Sequence, residues 1–385
     1  MTKIRVLFFL MSLFIVLTVG TIAFFYATGY RINKGNLSPQ GILVINSDPN
    51  GAQILINGEL KEVSNANLTL PEGDYDIILK KDGFISWQKR IKIQKEVVTE
   101  LDADLFPSAP SLSAITFDGI SNPIISDDGT KIAYNITSSD ADKNGLWLLE
   151  TVNLPLGFNR EPRRITDLNL DPTSTWKFSP DSREILVTSK NGLFLLSTSE
   201  FKSQSSLVNV AAQKEKILTA WKQKADELLN SQLQKLPQEL SNIFLNKTSN
   251  ISFSPDENKI LYEASASATI AKGLIKPLPG SSTQKEERNI EKGKKYVFDI
   301  KEDKNFEVGA SSDTIYWLPN SRNLLIPQKD KIVVSDYDST NKITVYSGSY
   351  ISPNAFPSAA QSRVYLLTNL GSQNSPLNLY SLSLK

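Results

Sequence analysis

From Val6 to Ala27 the chain reads VLFFLMSLFIVLTVGTIAFFYA, without one charged residue. As a helix rising about 1.5 Å per residue, this run is roughly 33 Å long and matches the hydrocarbon core of a bilayer. Lys3 and Arg5 stand before it, and Phe24, Phe25, Tyr26 and Tyr30 give its far end the aromatic character of a membrane interface. Its polar members, Ser12, Thr18 and Thr21, can return their hydroxyls to the helix's own carbonyls. A cleaved signal sequence would carry an apolar core of about 7–15 residues and then a small-x-small site. Residues 6–27 are therefore read as an uncleaved single-pass anchor, residues 1–5 as a short tail and residues 28–39 as a linker. Arg31 and Lys34 balance Lys3 and Arg5. Because long domains translocate largely regardless of charge, the bulk of the chain is expected outside the cytoplasm.

Beyond the linker the apolar period changes to two. Ile42-Leu43-Val44-Ile45 reads as a strand, Asp48-Pro49-Asn50-Gly51 as a turn, and Ala52-Gln53-Ile54-Leu55-Ile56 as a second strand closed by Asn57-Gly58. In Asp74 to Leu79, Tyr75, Ile77 and Leu79 share one face. Gly83-Phe84 turns the chain, Trp87 fills a core position, and Arg90-Ile91-Lys92-Ile93 alternates again. No helical period interrupts residues 40–106, so a small β-sandwich is expected there. Three runs carry a resemblance to the PEGA domain. They are Ser47-x-Pro49-x-Gly51-Ala52-x-Ile54-x-Ile56-Asn57-Gly58, Leu70-Pro71-Glu72-Gly73-x-Tyr75, and Lys81-x-Gly83-Phe84-x-x-Trp87. Where the family often has Gly-x-Thr-Pro, this chain has Glu62-Val63-Ser64-Asn65. The resemblance implies an extracytoplasmic β-rich module beside a membrane helix or a larger surface domain, and no catalytic residues.

Residues 110–385 repeat one short pattern. Copies begin at Ile125-Ser126-Asp127-Asp128-Gly129, Phe178-Ser179-Pro180-Asp181-Ser182, Phe253-Ser254-Pro255-Asp256-Glu257, Trp317-Leu318-Pro319-Asn320-Ser321 and, degenerate, Phe356-Pro357-Ser358-Ala359-Ala360. Each copy reads as strand, tight turn, strand. An apolar residue recurs seven places after the anchor (Ile132, Ile185, Ile260, Leu324), or eight at Val364, where an extra turn residue is expected. Third strands follow at Gly145–Leu149, Gly192–Leu196, Lys331–Ser335 and Asn378–Leu382. A strand–turn–strand unit cannot bury its apolar faces alone, so its repetition predicts stacked blades, a β-propeller. Ser-Pro-Asp-x-x-Lys-apolar, followed by an apolar strand and Arg164-Ile165-Thr166, resembles the TolB-like, WD-like propeller family. The spacing suits five to seven blades, six being favoured, with Leu112–Ile115 helping to close the ring. The fold class expected is mainly β, with one helical insertion.

The insertion lies at residues 209–245. Asn209 is placed to cap a helix from Val210 to Leu236, on which Ile217, Trp221, Ala225, Leu228 and Leu229 recur at helical spacing, and Pro237 ends it. Two readings stay open: a partner-docking face made of Trp221, Leu228 and Leu229, or a helix lying across the propeller. Residues 272–295 read as a mobile, solvated loop. Asn-x-Ser/Thr sequons occur at Asn67, Asn135, Asn246 and Asn250.

Composition narrows the chemistry. Among 385 residues there is no histidine and no cysteine. That excludes a Ser-His-Asp triad, thiol catalysis, disulfides, and any zinc or copper site built on imidazole or thiolate. Lys+Arg number 42 against 41 Asp+Glu, so no general attraction to nucleic acid is expected. No cofactor or metal is expected: Asp127-Asp128-Gly129 alone offers too few oxygens for a calcium loop. The leading function is a non-enzymatic platform for a protein or an envelope polymer. One alternative is a propeller hydrolase using carboxylates alone, with Asp127, Asp181 and Asp256 as candidates. Another is a sensor subunit whose inserted helix docks a membrane partner.

Overall fold

The computed structural model describes residues 2–27, 31–33, 36–38, 40–152, 161–278, 283–359, 363–372 and 374–385. Helix α1 spans Thr2–Ala27. Ser12, Thr18 and Thr21 donate to the carbonyls of Phe9, Phe14 and Leu17 at 2.9, 2.8 and 2.8 Å, so these three hydroxyls are satisfied within the helix. Part of the expected linker is ordered differently: Arg31–Asn33 pairs antiparallel with Asn36–Ser38.

Two compact units follow. Unit 1 comprises residues 1–105 with 277–285, and unit 2 residues 106–276 with 286–385. In unit 1, Gln40–Asp48 is the middle strand of three, antiparallel to Ala66–Pro71 and parallel to Val98–Asp104. The second sheet runs Glu59–Val63, Gln53–Ile56, Gly73–Lys80, Trp87–Ile93. The period-two residues meet between the sheets: Leu43, Ile45, Ile54, Ile77, Leu79, Trp87 and Ile93 are buried together, with Tyr75 packed at their margin. The edge strand Glu59–Val63 is exposed throughout and carries three charges in five residues, which discourages pairing with another chain.

Unit 2 contains five antiparallel sheets arranged as blades. Blade 1 is Ser121–Ile125, Lys131–Ile136, Gly145–Glu150 and Arg163–Thr166. Blade 2 has three strands, Thr175–Phe178, Glu184–Ser189 and Gly192–Ser197. Blade 3 is Thr248–Phe253, Lys259–Ala264, Lys294–Asp299 and Lys304–Ala310. Blade 4 is Tyr316–Trp317, Asn323–Pro327, Lys331–Asp336 and Ile343–Ser347. Blade 5 joins Ala355–Pro357, Arg363–Thr368 and Asn378–Ser383 to Leu112–Ala114, which enters from the other end of the chain. The two ends of the unit are thus knitted into one sheet, as the apolar Leu112–Ile115 suggested.

Alternate residues of each blade face opposite neighbours. Ala133, Leu146 and Leu148 of blade 1 pack with Trp176, Ile185, Val187 and Phe194 of blade 2. Ile132, Tyr134 and Leu149 pack with Phe356, Tyr365 and Leu367 of blade 5. Leu261 and Val297 of blade 3 meet Trp317, Leu324 and Val333 of blade 4. Tyr316 of blade 4 stacks edge-on against Phe356 of blade 5, with centroids 6.4 Å apart. Gly145 permits the close approach of the outer strand of blade 1: at φ +127° its Cβ would lie 2.1 Å from the Thr166 carbonyl oxygen.

Among the described residues there are five such sheets, not the favoured six. The reason lies in the long interval between the second and third copies. The blade 2 face carrying Leu186 and Leu193 is covered by Trp221, Ile217 and Leu218 of helix α2, Lys214–Leu233. The blade 3 face carrying Ile260, Tyr262, Tyr296 and Phe298 is covered by Leu233 of α2 and by Leu240 and Phe244 of helix α3, Gln238–Lys247. Helices thus provide the apolar cover that a further blade would give. The helix begins later than expected, after a 3-10 turn at Ala211–Gln213. Asn209 does not cap the helix: Gln213 precedes α2 and Val210 precedes the 3-10 turn, while the Asn209 side chain accepts from the Ala211 and Leu193 amides at 3.0 and 3.2 Å.

Residues 272–295 are more structured than their composition suggested. Ala268–Thr269 pairs with Asn289–Ile290. Arg288 is half-buried against Asp303, 3.1 Å away, and Glu286, 2.7 Å away. Residues 279–282 of that segment lie outside the described residues.

Candidate functional site

The repeated turn holds the candidate carboxylates, and its geometry is the same in three blades. The first-strand anchor pairs with the residue seven places on: Ile125 with Ile132, Phe178 with Ile185, Phe253 with Ile260. The serine after the anchor closes the turn, its amide donating to the carbonyls of Lys131, Glu184 and Lys259 at 2.9, 2.9 and 2.8 Å. The residue three places after the serine sits in the left-handed region: Gly129, Ser182 and Glu257, at φ +69°, +57° and +56°.

Side chains lock this backbone. The hydroxyls of Ser126, Ser179 and Ser254 each donate at 2.6 Å to the aspartate two residues on, Asp128, Asp181 and Asp256. They accept at 3.0, 3.0 and 2.9 Å from the amides of Lys131, Glu184 and Lys259. Asp128, not Asp127, is therefore the equivalent of Asp181 and Asp256, because Asp127 occupies the proline position. Counting from the serine would have shown this. In the fourth copy Leu318 replaces the serine, and Asn320 accepts from the Arg322 and Asn323 amides, both at 3.1 Å. The fifth copy is one place out of the expected frame. Pro357 pairs with Val364, and the Ser358 amide donates to the Arg363 carbonyl at 2.9 Å. Its anchor is Pro357, and the extra turn residue expected there is not required.

These aspartates are poor candidates for a general acid. Burial works against ionised Asp128, but donation from Ser126 and Thr130, with Ser182 of blade 2 nearby, outweighs it and holds the carboxyl below its usual value. The Lys224 ammonium, then Ser179, depress Asp181 strongly. Burial also opposes ionisation of Asp256, but the Asn258 side chain, Ser254 and the Asn258 amide bring it down to about 2. Asp127 alone is pushed up, by desolvation, against the pull of Lys177 and with the help of Asp128. It is exposed, and the carboxyl next to it, Asp128, is held down. Among the described residues no group of three or more acidic side chains is placed to hold a metal ion. The buried pair Lys259–Asp299, 3.8 Å apart, joins neighbouring strands of blade 3, with the ammonium 4.6 Å from the centre of the Tyr337 ring.

The turn makes a pH prediction. A carboxyl held down in the folded state stabilises it above the unfolded value, about 3.9, and loses that contribution as pH falls toward the folded value. For Asp256 the window runs from about 4 down to about 2. Asp256→Asn is expected to flatten the acid limb of a urea-midpoint profile in that window and to leave the curve above pH 5 parallel to the parent's. An unchanged acid limb would count against the assignment.

The structure separates the three residues of the expected docking face. Trp221 is 8 % exposed and packs on blade 2, and Leu229 packs against the blade 3 cluster; Leu228 is 58 % exposed. Two of the three are thus engaged within the chain, as the reading of a helix lying across the propeller requires. Of the sequon residues, Asn135 is buried and hydrogen-bonds Thr137 at 3.0 Å, whereas Asn67, Asn246 and Asn250 are exposed.

The paired sheets of unit 1, built on the runs around Ser47, Leu70 and Lys81, decide the comparison with known families. Residues 40–109 match the PEGA domain. Curated proteins gave no match to the chain. Among solved structures the chain is similar to TolB from Acinetobacter baumannii, at 13% identity over 80% of this chain and 59% of that one, with a TM-score of 0.24. It is similar to the Pyrococcus horikoshii acylaminoacyl peptidase at 11% identity over 67% of this chain and 36% of that one, TM-score 0.20. It is also similar to the Myceliophteria thermophila Cps50 (Swd1) β-propeller domain at 9% identity, covering 71% and 86%, TM-score 0.24. The chain thus spans less than two thirds of the TolB chain and about a third of the peptidase chain. At such scores the propeller rests on its own strand order and the ring-closing sheet.

Proposed function

We propose that this chain is a non-enzymatic, membrane-anchored protein whose PEGA domain spaces a five-bladed propeller away from the membrane, where the propeller binds a protein or an envelope polymer. One observation carries the reading. The described side chains of α1 from Ile4 to Phe25 are exposed throughout, with Phe14 at 70 % and Leu7 at 67 %. An apolar face of that extent in water would be very costly, and a bilayer is the medium that matches its length. The engaged turn aspartates and the missing histidine and cysteine support a binding role over a hydrolytic one.

The test is fractionation of cells producing the full chain. The protein is expected in the membrane pellet, resistant to alkaline carbonate and released by detergent. Its mass should include residues 1–27, and its propeller should be digested by protease added from outside. A soluble product lacking those residues would refute the anchor. Turnover abolished by one aspartate substitution would refute the non-enzymatic reading.

A further inference from the structure

Four of the blade junctions use apolar packing of sheet on sheet, and between blades 3 and 4 the repeated turn adds a hydrogen bond. The Ser321 hydroxyl in the left-handed position of the blade 4 turn accepts from the Asp256 amide of blade 3 at 3.0 Å. Ser182, in the same position of the blade 2 turn, is buried beside Asp128 of blade 1, but its hydroxyl makes no hydrogen bond there. By this pattern the blade 3 turn should reach Asp181 of blade 2 with a serine. It carries Glu257 instead.

At that junction α2 and the turn just after it supply both halves of the link. Lys224 Nζ lies 2.6 Å from Asp181 Oδ2 of blade 2. Three helical turns on, Lys235 Nζ lies 2.8 Å from Glu257 Oε2 of blade 3, and Gln232 donates to Glu257 Oε1 at 3.1 Å. One turn before the first clamp the helix turns Trp221 to blade 2, and between the clamps it turns Leu229 and Leu233 to blade 3. The apolar clusters on the two blades are separate, and α2 contributes to both. We infer that α2 is a strap across the seam between blades 2 and 3, replacing there both the serine link and the sheet-on-sheet packing used elsewhere. The seam is the weakest joint of the ring, because its polar clamps are exposed ion pairs, which solvent and salt attenuate. Strap and seam therefore open together, before the rest of the propeller.

Hydrogen exchange on the full chain in detergent micelles tests this in two ways. In the parent protein at low urea, amides of α2, Glu184–Ser189 and Lys259–Ala264 are expected to exchange as one cooperative group, ahead of Lys331–Asp336 and Arg363–Thr368. In the K224A/K235A variant, which alters only exposed side chains, exchange in that group is expected to rise about tenfold while blades 4 and 5 stay unchanged. Adding Glu257→Ser, which restores the residue type used at the other seams, is expected to recover part of the protection at Lys259–Ala264. The inference is overturned if α2 exchanges freely while the facing strands of blades 2 and 3 stay protected. It is equally overturned if K224A/K235A raises exchange evenly over all five blades. The parent measurement decides the matter even if a variant does not fold.

Discussion

Removing residues 378–385 is expected to abolish cooperative unfolding of unit 2 and leave its blades open to protease. Asn378–Ser383 is the strand between Arg363–Thr368 and Leu112–Ala114 in blade 5, so its loss severs the one sheet built from both ends of the unit. It also deletes Leu379 and Leu382, both buried, and leaves the ladder of Arg363–Thr368 without a partner on that side. Unpaired backbone in a buried sheet costs a few kcal/mol even for a handful of groups, and a small net stability cannot absorb it. The PEGA unit has its own core and is expected to stay folded. Limited proteolysis with mass readout checks both halves: a stable fragment of about residues 40–105 should survive while the rest is degraded. Protection of both units would show that the ring closes without this strand.

Phe244→Ala is expected to destabilise unit 2 by about 3–5 kcal/mol, the usual range for a fully buried phenylalanine. The ring is inaccessible to solvent and stands edge-on to Tyr262 and Phe298, with centroids 5.1 and 6.0 Å away. Its removal leaves a cavity between α3 and blade 3 that flanking side chains fixed in sheet cannot fill. Leu228→Ala, on the exposed side of α2, is the control and should shift stability by no more than about 0.5 kcal/mol. Urea titrations of the two variants in micelles compare them directly. Equal midpoints would mean that α3 is not part of the packed core.

Much of this fold was legible because its signals are local. The charge-free run, the Asn57-Gly58 hairpin and the alternation at Tyr75, Ile77 and Leu79 each specify structure within a few residues. So does the seven-residue step from anchor to second strand. The errors came where local signals mislead. An aromatic anchor at Phe356 hid the true frame of the fifth turn, which follows the backbone ladder from Pro357. Asp127 drew attention because it precedes another acid, yet the serine hydroxyl selects Asp128. The blade number could not be read from spacing, since α2 and α3 cover faces that a further sheet would otherwise cover. Trp221 and Leu229 looked like a docking face because helical periodicity reports an apolar stripe and not what lies against it.

The closing sheet also sets an order of events during synthesis. Leu112–Ala114 emerges from the ribosome early, but its partner Asn378–Ser383 comes 264 residues later, counting from Ala114 to Asn378. At about 5–20 residues per second that is a wait of roughly 13–53 s. Through this interval the first-made blades expose an apolar flank that nothing yet covers. Cells that make this chain therefore need a holding factor, or a slow enough aggregation rate, to carry the unfinished circle to its last strand.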